Sequence, residues 1–371
     1  MTIEFHYEVP LSETRWHVNG RADMCLSWQY DRDREALLAL YEKGKRRQWD
    51  AALRIDWDQQ FDEDNPLGLD DASIPIFGMP IWKRLSASEK IEIRRHSQAY
   101  LISQFMHGEQ AALIATARIM QSAPDLDAKF FAATQAMDEA RHLEVYSKLL
   151  RDRFETAYPI SAGLRSLLDV GLNDARWDMT YLTMQVLIEG LALAAFQRIR
   201  DLSDNTLAAT INAYVMQDEA RHVAFGRTAL QDYYRQLTSA ELDEREAFLI
   251  EGCHQMQQSC TQREVWERFG LPIRECLGLE EQSATGRQFH VSLFSRIVPI
   301  VKGIGLWGPR VREAFEKMGV IDAANFDLDN EIARDDEIAE QFDADAHVRR
   351  GLEAGPATGS PGTQDPHDAR L

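Results

Sequence analysis

Helix signals run almost unbroken from Ser86 to Phe269, and the long apolar–polar alternation of strands is absent there. Ser86-Ala-Ser-Glu89 has the form of a capping box, in which the serine hydroxyl and the glutamate each satisfy free backbone N–H groups. From it to Gln121 no proline intervenes and only Gly108 interrupts, which predicts a helix roughly 50 Å long. Ser122-Ala-Pro-Asp125 breaks it, and Asp125 can cap a second helix to about Phe154. Tyr158-Pro159 opens a longer connection holding Gly163 and Gly171. Asp174 is placed to cap a third helix through Arg200, Ser203-Asp-Asn205 reads as a turn, and a fourth helix runs to about Leu237. Thr238-Ser-Ala-Glu241, a second capping box, opens a fifth towards Arg268.

The flanks read differently. Residues 1–85 carry Trp16, Trp28, Trp49, Trp57 and Trp82, one helix over Asp33–Trp49, and a turn-rich stretch, Asp56–Pro80, expected to pack across the bundle. Residues 86–270 form the bundle and 271–350 a helical extension, acidic after Phe326. Residues 351–371 have too little apolar surface to offset their ordering entropy, so disorder is expected there. Gly303-Ile-Gly-Leu-Trp-Gly308 spells a dinucleotide fingerprint, but Pro299 and Pro309 bracket it and no strand precedes it, so a turn is expected.

Within the helices the pentapeptide Asp-Glu-Ala-Arg-His occurs twice, at Asp138–His142 and Asp218–His222, and Glu109 and Glu189 each stand 30 residues ahead of its glutamate. Four carboxylates and two imidazoles so arranged are what a four-helix bundle uses to hold two metal ions. From Glu109 to the break at Ser122 is about 13 helical residues, and about 14 lead back from Asp125 to Glu139. Each leg is ~20 Å, so an antiparallel hairpin returns Glu139 to the level of Glu109. The Glu189–Glu219 hairpin repeats the arithmetic. Residues three apart share a helix face, so Glu139 and His142 point together, as do Glu219 and His222. Solvated acids on amphipathic helices are the bland alternative. Against it, Glu189 sits in Met184-Gln-Val-Leu-Ile-Glu-Gly-Leu-Ala-Leu-Ala-Ala-Phe196 and Glu109 precedes Gln-Ala-Ala-Leu-Ile-Ala115. Unpaired carboxylates in such walls are strongly penalised unless cations compensate them. Mixed carboxylate and imidazole donors suit iron or manganese better than zinc. Two irons are the default, and a manganese–iron pair satisfies the same donors.

Composition adds limits. The 371 residues, 44% hydrophobic, can bury a large core, and a net charge of −19 argues against nucleic acid or an anionic membrane as partner. No apolar stretch of 18 residues stands out, and Met1–Pro10 has no hydrophobic signal core, so a soluble cytoplasmic protein is expected. Cys25, Cys253, Cys260 and Cys276 include no C-x-x-C pair, which leaves neither a disulfide framework nor a rubredoxin-like iron site.

Over about residues 86–237 these motifs resemble the ferritin-like diiron-carboxylate superfamily. The resemblance is to its oxygen-activating branch: hydroxylase subunits of multicomponent monooxygenases, aryl-amine N-oxygenases and ribonucleotide reductase small subunits. It implies an all-α, ferritin-like four-helix bundle with added N- and C-terminal helices. It further implies that Glu109, Glu139 and His142 bind one iron and Glu189, Glu219 and His222 the other, with Glu139 and Glu219 bridging. Asp218 and Asp138 would accept the N–H of His142 and His222 respectively, and Arg141 and Arg221 would pair with those aspartates. The departures are specific. Leu193 stands where multicomponent hydroxylases have a threonine, and Val215 where aryl-amine N-oxygenases have an extra histidine. Tyr146 matches the radical tyrosine of reductase small subunits, yet no tyrosine follows Tyr234.

The chemistry implied is O2-dependent oxidation of a small organic molecule by a diferrous centre. By helix spacing, Phe105, Ala112, Tyr146, Met184, Gln185 and Leu193 would line its pocket. No flavin or ferredoxin motif is present, so electrons would come from an external reductase or ferredoxin, or from a two-electron donor substrate. A diiron monooxygenase, hydroxylating or N-oxygenating its substrate, is the first reading. A radical-generating or ligand-binding oxidase, a ferroxidase or iron-binding protein, and a non-catalytic bundle are the alternatives. A homodimer is compatible with the chain, which does not name its substrate, electron donor or oligomer.

Overall fold

A computed structural model describes residues 6–7, 15–18, 20, 24–30, 34–259, 261–282 and 284–353. Helices α1 (Glu35–Arg46), α2 (Ala51–Arg54) and α3 (Pro80–Arg84) precede the bundle. Its first hairpin is α4 (Ala87–Ser122) and α5 (Leu126–Leu149), the latter continued by a π-helical turn, Leu150–Phe154. After α6 (Ala162–Asn173), the second hairpin joins one composite helix to α9 (Thr206–Tyr234). That composite is α7 (Trp177–Tyr181), a π segment (Leu182–Ile188) and α8 (Glu189–Leu202). Then follow α10 (Ser239–Ser259), α11 (Arg263–Arg268), α12 (Ile273–Gln282), α13 (Ala284–Gly303), α14 (Pro309–Lys317) and α15 (Leu328–Glu353). Two-residue strands β1 (His6–Tyr7) and β2 (Thr156–Ala157) pair in parallel.

The helix boundaries follow local chemistry. Ser86 and Glu89 form the capping box at the start of α4, the Asp125 carboxylate accepts from the Ala128 N–H at the start of α5, and the Asn205 amide oxygen accepts from Leu207 at the start of α9. Thr238 and Glu241 hydrogen-bond reciprocally ahead of α10. The bundle core is α4 on α5 and α8 on α9, with α5 also packed on α9. α1 and α15 cover α9, and α13 covers α8. Every residue from Leu207 to Val223 is therefore buried, the environment of a central helix instead of an amphipathic one.

Several boundaries depart from expectation. Residues 162–173 form α6 where a loop is expected. Ser161 caps it and places Gly163 in the first turn, and Gly171 lies so close to Thr183 that any Cβ would collide with that side chain. The third core helix starts at Trp177: Asp174 accepts from the Arg176 N–H in a turn ahead of it. The expected fifth helix divides into α10 and α11. Trp177–Leu202 is long and apolar enough to cross a membrane by length and composition, which corrects the expectation that no such stretch exists. Its apolar window is 89% buried inside the bundle, as a core helix would be. Gly305, at φ +92°, makes the expected turn between α13 and α14, and among the described residues no strand precedes it within this segment. α15 extends to Glu353, and residues 354–371, most of the segment expected to be disordered, lie outside the described residues.

Candidate metal centre

Glu109 of α4, Glu139 and His142 of α5, Glu189 of α8, and Glu219 and His222 of α9 converge at mid-bundle, all buried. Their donor atoms form two groups: Glu109, Glu139, His142 and Glu219 in one, Glu139, Glu189 and His222 in the other. His142 Nδ1 lies 3.3 Å from Glu109 Oε2, 3.4 Å from Glu139 Oε2 and 3.0 Å from Glu219 Oε1. His222 Nδ1 lies 3.1 Å from Glu139 Oε1 and 3.3 Å from Glu219 Oε2. Each of Glu139 and Glu219 thus turns one oxygen to each imidazole, the disposition of a carboxylate that spans two ions.

The outward ring nitrogens are held crosswise. His142 Nε2 is 3.1 Å from Asp218 on α9, and His222 Nε2 is 3.3 Å from Asp138 on α5. With Nε2–H donated to a carboxylate, Nδ1 keeps its lone pair for the centre. Arg141 and Arg221 each bridge Asp138 and Asp218. Two further partners come from the residues following α1. The Gln48 amide donates to Asp138 at 2.7 Å, and the Trp49 indole N–H donates to Asp218 at 2.8 Å. Gln135, one turn before Glu139, donates to Glu139 at 2.8 Å and to Glu189 at 3.0 Å. Sequence reasoning missed all three. Gln135 is signalled by its i−4 spacing from Glu139, whereas nothing local marks Gln48 or Trp49.

The buried charge tests whether ions fit. Six buried acids (Glu109, Asp138, Glu139, Glu189, Asp218, Glu219) face two buried arginines, leaving four negative charges, the number two divalent cations carry. Glu139 Oε2, Glu189 Oε2, Glu219 Oε1 and His142 Nδ1 are buried without any hydrogen bond, a costly state for polar atoms unless an ion takes them. Burial pushes the Glu109 carboxyl up to about 8 against the pull of His142. It pushes Glu189 well up too, with the Glu219 charge adding to it. Burial also acts to raise Glu139, but the two imidazoles outweigh it and hold that carboxyl low. Both imidazoles are raised well above their ordinary range, facing carboxylates overcoming burial. Because metal ligands bind in their deprotonated forms, ions and protons compete for these carboxylates and imidazoles.

A cavity of about 1220 Å³ opens on one side of this cluster and reaches Glu109, Glu189 and Glu219. Phe105, Ala112 and Met184 line it as expected, together with Gly108, Ala192 and Phe196. Three residues expected on its wall are elsewhere. Gln185 packs against Gly226 of α9, because the wider π turn before Glu189 shifts the face that 3.6-residue counting predicts. Leu193 is fully buried in the core. Tyr146 stacks on Phe196 (ring centroids 5.7 Å), which lines the cavity, and its hydroxyl donates to Asn212 at 3.1 Å. Burial raises that phenol well above its ordinary pKa.

Residues 31–305 match the family model described as P-aminobenzoate N-oxygenase AurF. No curated protein matches the chain. Among solved structures, it is similar to a mutant R2-like ligand-binding oxidase with an anaerobically reconstituted Mn/Fe cofactor, at 18% identity and TM-score 0.44 over 76% of this chain and 96% of that one. A second mutant of that description, reconstituted aerobically, matches at 18% identity and TM-score 0.47 over 73% of this chain and 94% of that one.

Proposed function

The chain belongs to the P-aminobenzoate N-oxygenase AurF family, within the ferritin-like diiron-carboxylate proteins, and on that premise we propose that it uses two irons and O2 to oxygenate a small organic substrate by hydroxylation or N-oxygenation. One observation carries the reading: two donor groups sharing Glu139 open directly onto a substrate-sized cavity. Glu109, Glu139, Glu219 and His142 would hold one ion, and Glu139, Glu189 and His222 the other; manganese would be accepted by the same donors. When bound, the metal pair supplies the electrons that reduce O2. The chain's own part is orientation and exclusion. Asp138 and Asp218 fix the imidazole tautomers, Gln135 steadies Glu139 and Glu189, and Phe105, Met184 and Phe196 keep bulk water from the reacting face. An external reductase or ferredoxin returns the electrons. The test is anaerobic loading with Fe(II), then labelled O2 with a panel of aromatic amines and hydrocarbons. Label incorporated into product at two irons per chain is expected; a two-iron protein that consumes no O2 would sink the reading.

A radical-generating or ligand-binding oxidase is the second reading. It is favoured by the burial of Tyr146 and by its place among Phe105, Phe196 and the cluster. Tyr146→Phe separates the two. Turnover retained within a few-fold, with both irons bound, is the expected outcome, because the Tyr146 hydroxyl bonds to Asn212 and not to a centre carboxylate. A metal-replete variant without turnover would favour the radical.

A further inference from the structure

Gly108 lies inside the 36-residue helix α4, where glycine is the least favourable residue after proline. Other helical glycines have a steric reason: a Cβ at Gly171, Gly226 or Gly252 would collide with Thr183, Gln185 or Leu187. Gly108 has none. Its backbone is ordinary helix without a positive φ, and a Cβ built on it meets no atom within 4 Å. Leu101, Phe105, Gly108 and Ala112 recur at helical spacing on one face of α4, and all of them line the cavity. The side chain that Gly108 lacks therefore leaves its space in the cavity itself, one residue from Glu109.

The aromatic part of the wall cannot give way. Phe105 and Phe196 meet edge to face with ring centroids 4.6 Å apart, and Tyr146 stacks on Phe196 at 5.7 Å. Phe196 is 1% exposed and Tyr146 fully buried, so the rings are close-packed from behind and present a rigid aromatic surface to the cavity. Ala112 and Ala192 add only methyl groups beside it. Charge selects no head group, because Arg198, Glu251, His254, Arg263 and Glu264 line the cavity with both signs. Shape is what remains: a fixed aromatic wall, with breadth where position 108 carries no side chain.

We propose that Gly108 sets the breadth of the cavity beside the metal centre and selects a substrate with a planar, fused two-ring body over one with a single ring. The selection concerns the substrate of the proposed oxygenase and rests on that reading, but it is tested by binding without turnover. The probes are benzyl alcohol and 2-naphthalenemethanol, neutral and alike in their polar group, titrated calorimetrically into iron-loaded protein without O2. The unaltered protein is expected to bind the two-ring probe at least about tenfold tighter, from the extra apolar area buried. In Gly108→Leu that probe should lose at least about tenfold while benzyl alcohol changes by less than about threefold, the scale on which a pocket resolves a few methylenes. Gly108→Ala should fall between, keep both ions and unfold at a higher denaturant midpoint, since alanine is the better helix former and its Cβ meets nothing. A lower midpoint or a lost ion in Gly108→Ala would mean that the glycine serves the backbone or the seating of Glu109, and overturns the proposal. So does a two-ring probe bound by Gly108→Leu as tightly as by the unaltered protein, an equal loss for both probes, or an unaltered protein that binds the two-ring probe no tighter than benzyl alcohol. A Gly108-dependent preference in a protein that consumes no O2 would refute the oxygenase reading alone.

Discussion

Gln135 illustrates how single side chains set this centre. Its two hydrogen bonds go to carboxylates on different helices, and bonds to charged groups contribute ~1.5–3 kcal/mol each. Replacing it with leucine leaves Glu139 and Glu189 without that donor, and loss of such outer partners commonly costs ~10–100-fold in metal affinity. Gln135→Leu is therefore expected to keep the ion between Glu109 and His142 and to lose the one held by Glu189 and His222 on dialysis against a weak chelator. Two ions retained per chain, by elemental analysis, would show that Gln135 is a bystander. At this scale the sequence is legible where spacing carries the information. The six donor residues and the crosswise aspartates follow from a repeated pentapeptide and two glutamates, and the structure brings them together. Gln48 and Trp49 were not legible, because they reach Asp138 and Asp218 from about 90 and 169 residues away and no local pattern encodes a contact across that separation.

Among the elements, the π segment Leu182–Ile188 decides what faces the cavity. It ends directly before Glu189 and holds Gln185 against Gly226 of α9. A Cβ at position 226 would collide with the Gln185 side chain. Alanine is favoured over glycine inside a helix by up to ~1 kcal/mol, whereas overpacking a closed contact costs ~1–3 kcal/mol, so the steric effect wins. Gly226→Ala is expected to lower the denaturant midpoint and to weaken metal retention together, since the displaced segment carries Glu189 at its end. A midpoint equal to or above that of the unaltered protein would show that the π turn yields without cost. The α4 and α5 boundaries were readable from their caps, but the π turn was not. Nothing in Leu182-Thr-Met-Gln-Val-Leu-Ile188 distinguishes a five-residue from a four-residue hydrogen-bond step, and the error passed directly into the pocket assignment of Gln185.

The whole molecule is closed by a buried ion pair network far from the metal centre. Arg200 of α8 and Arg296 of α13 meet Asp335 of α15 at 2.6 and 2.7 Å, and Arg296 also bonds Gln197 at 3.1 Å. Arg200 and Asp335 are at most 5% exposed and Arg296 fully buried. This contact ties the C-terminal helices to the helix that carries Glu189. In the sequence Asp335 is one acid within an acidic, outwardly solvated run, so its partners could not be read there. Truncating Asp335 removes the acceptor that two buried guanidinium groups share, leaving Arg200 with Asp201 and Arg296 with Gln197 and Glu331, and removing one partner of a buried pair costs ~3–5 kcal/mol. The compensating gain from a smaller side chain is slight, because alanine fills none of the vacated space. Asp335→Ala is therefore expected to lower unfolding stability by roughly that amount, whereas Glu313→Ala, which breaks the exposed pair with Lys317, should leave the midpoint unchanged. The loss should be larger than for Asp335→Asn, which keeps two acceptor lone pairs for the arginines. Equal midpoints for Asp335→Ala and Glu313→Ala in parallel denaturant titrations would show that α15 docks through its apolar contacts alone, with the buried charges neutral to stability.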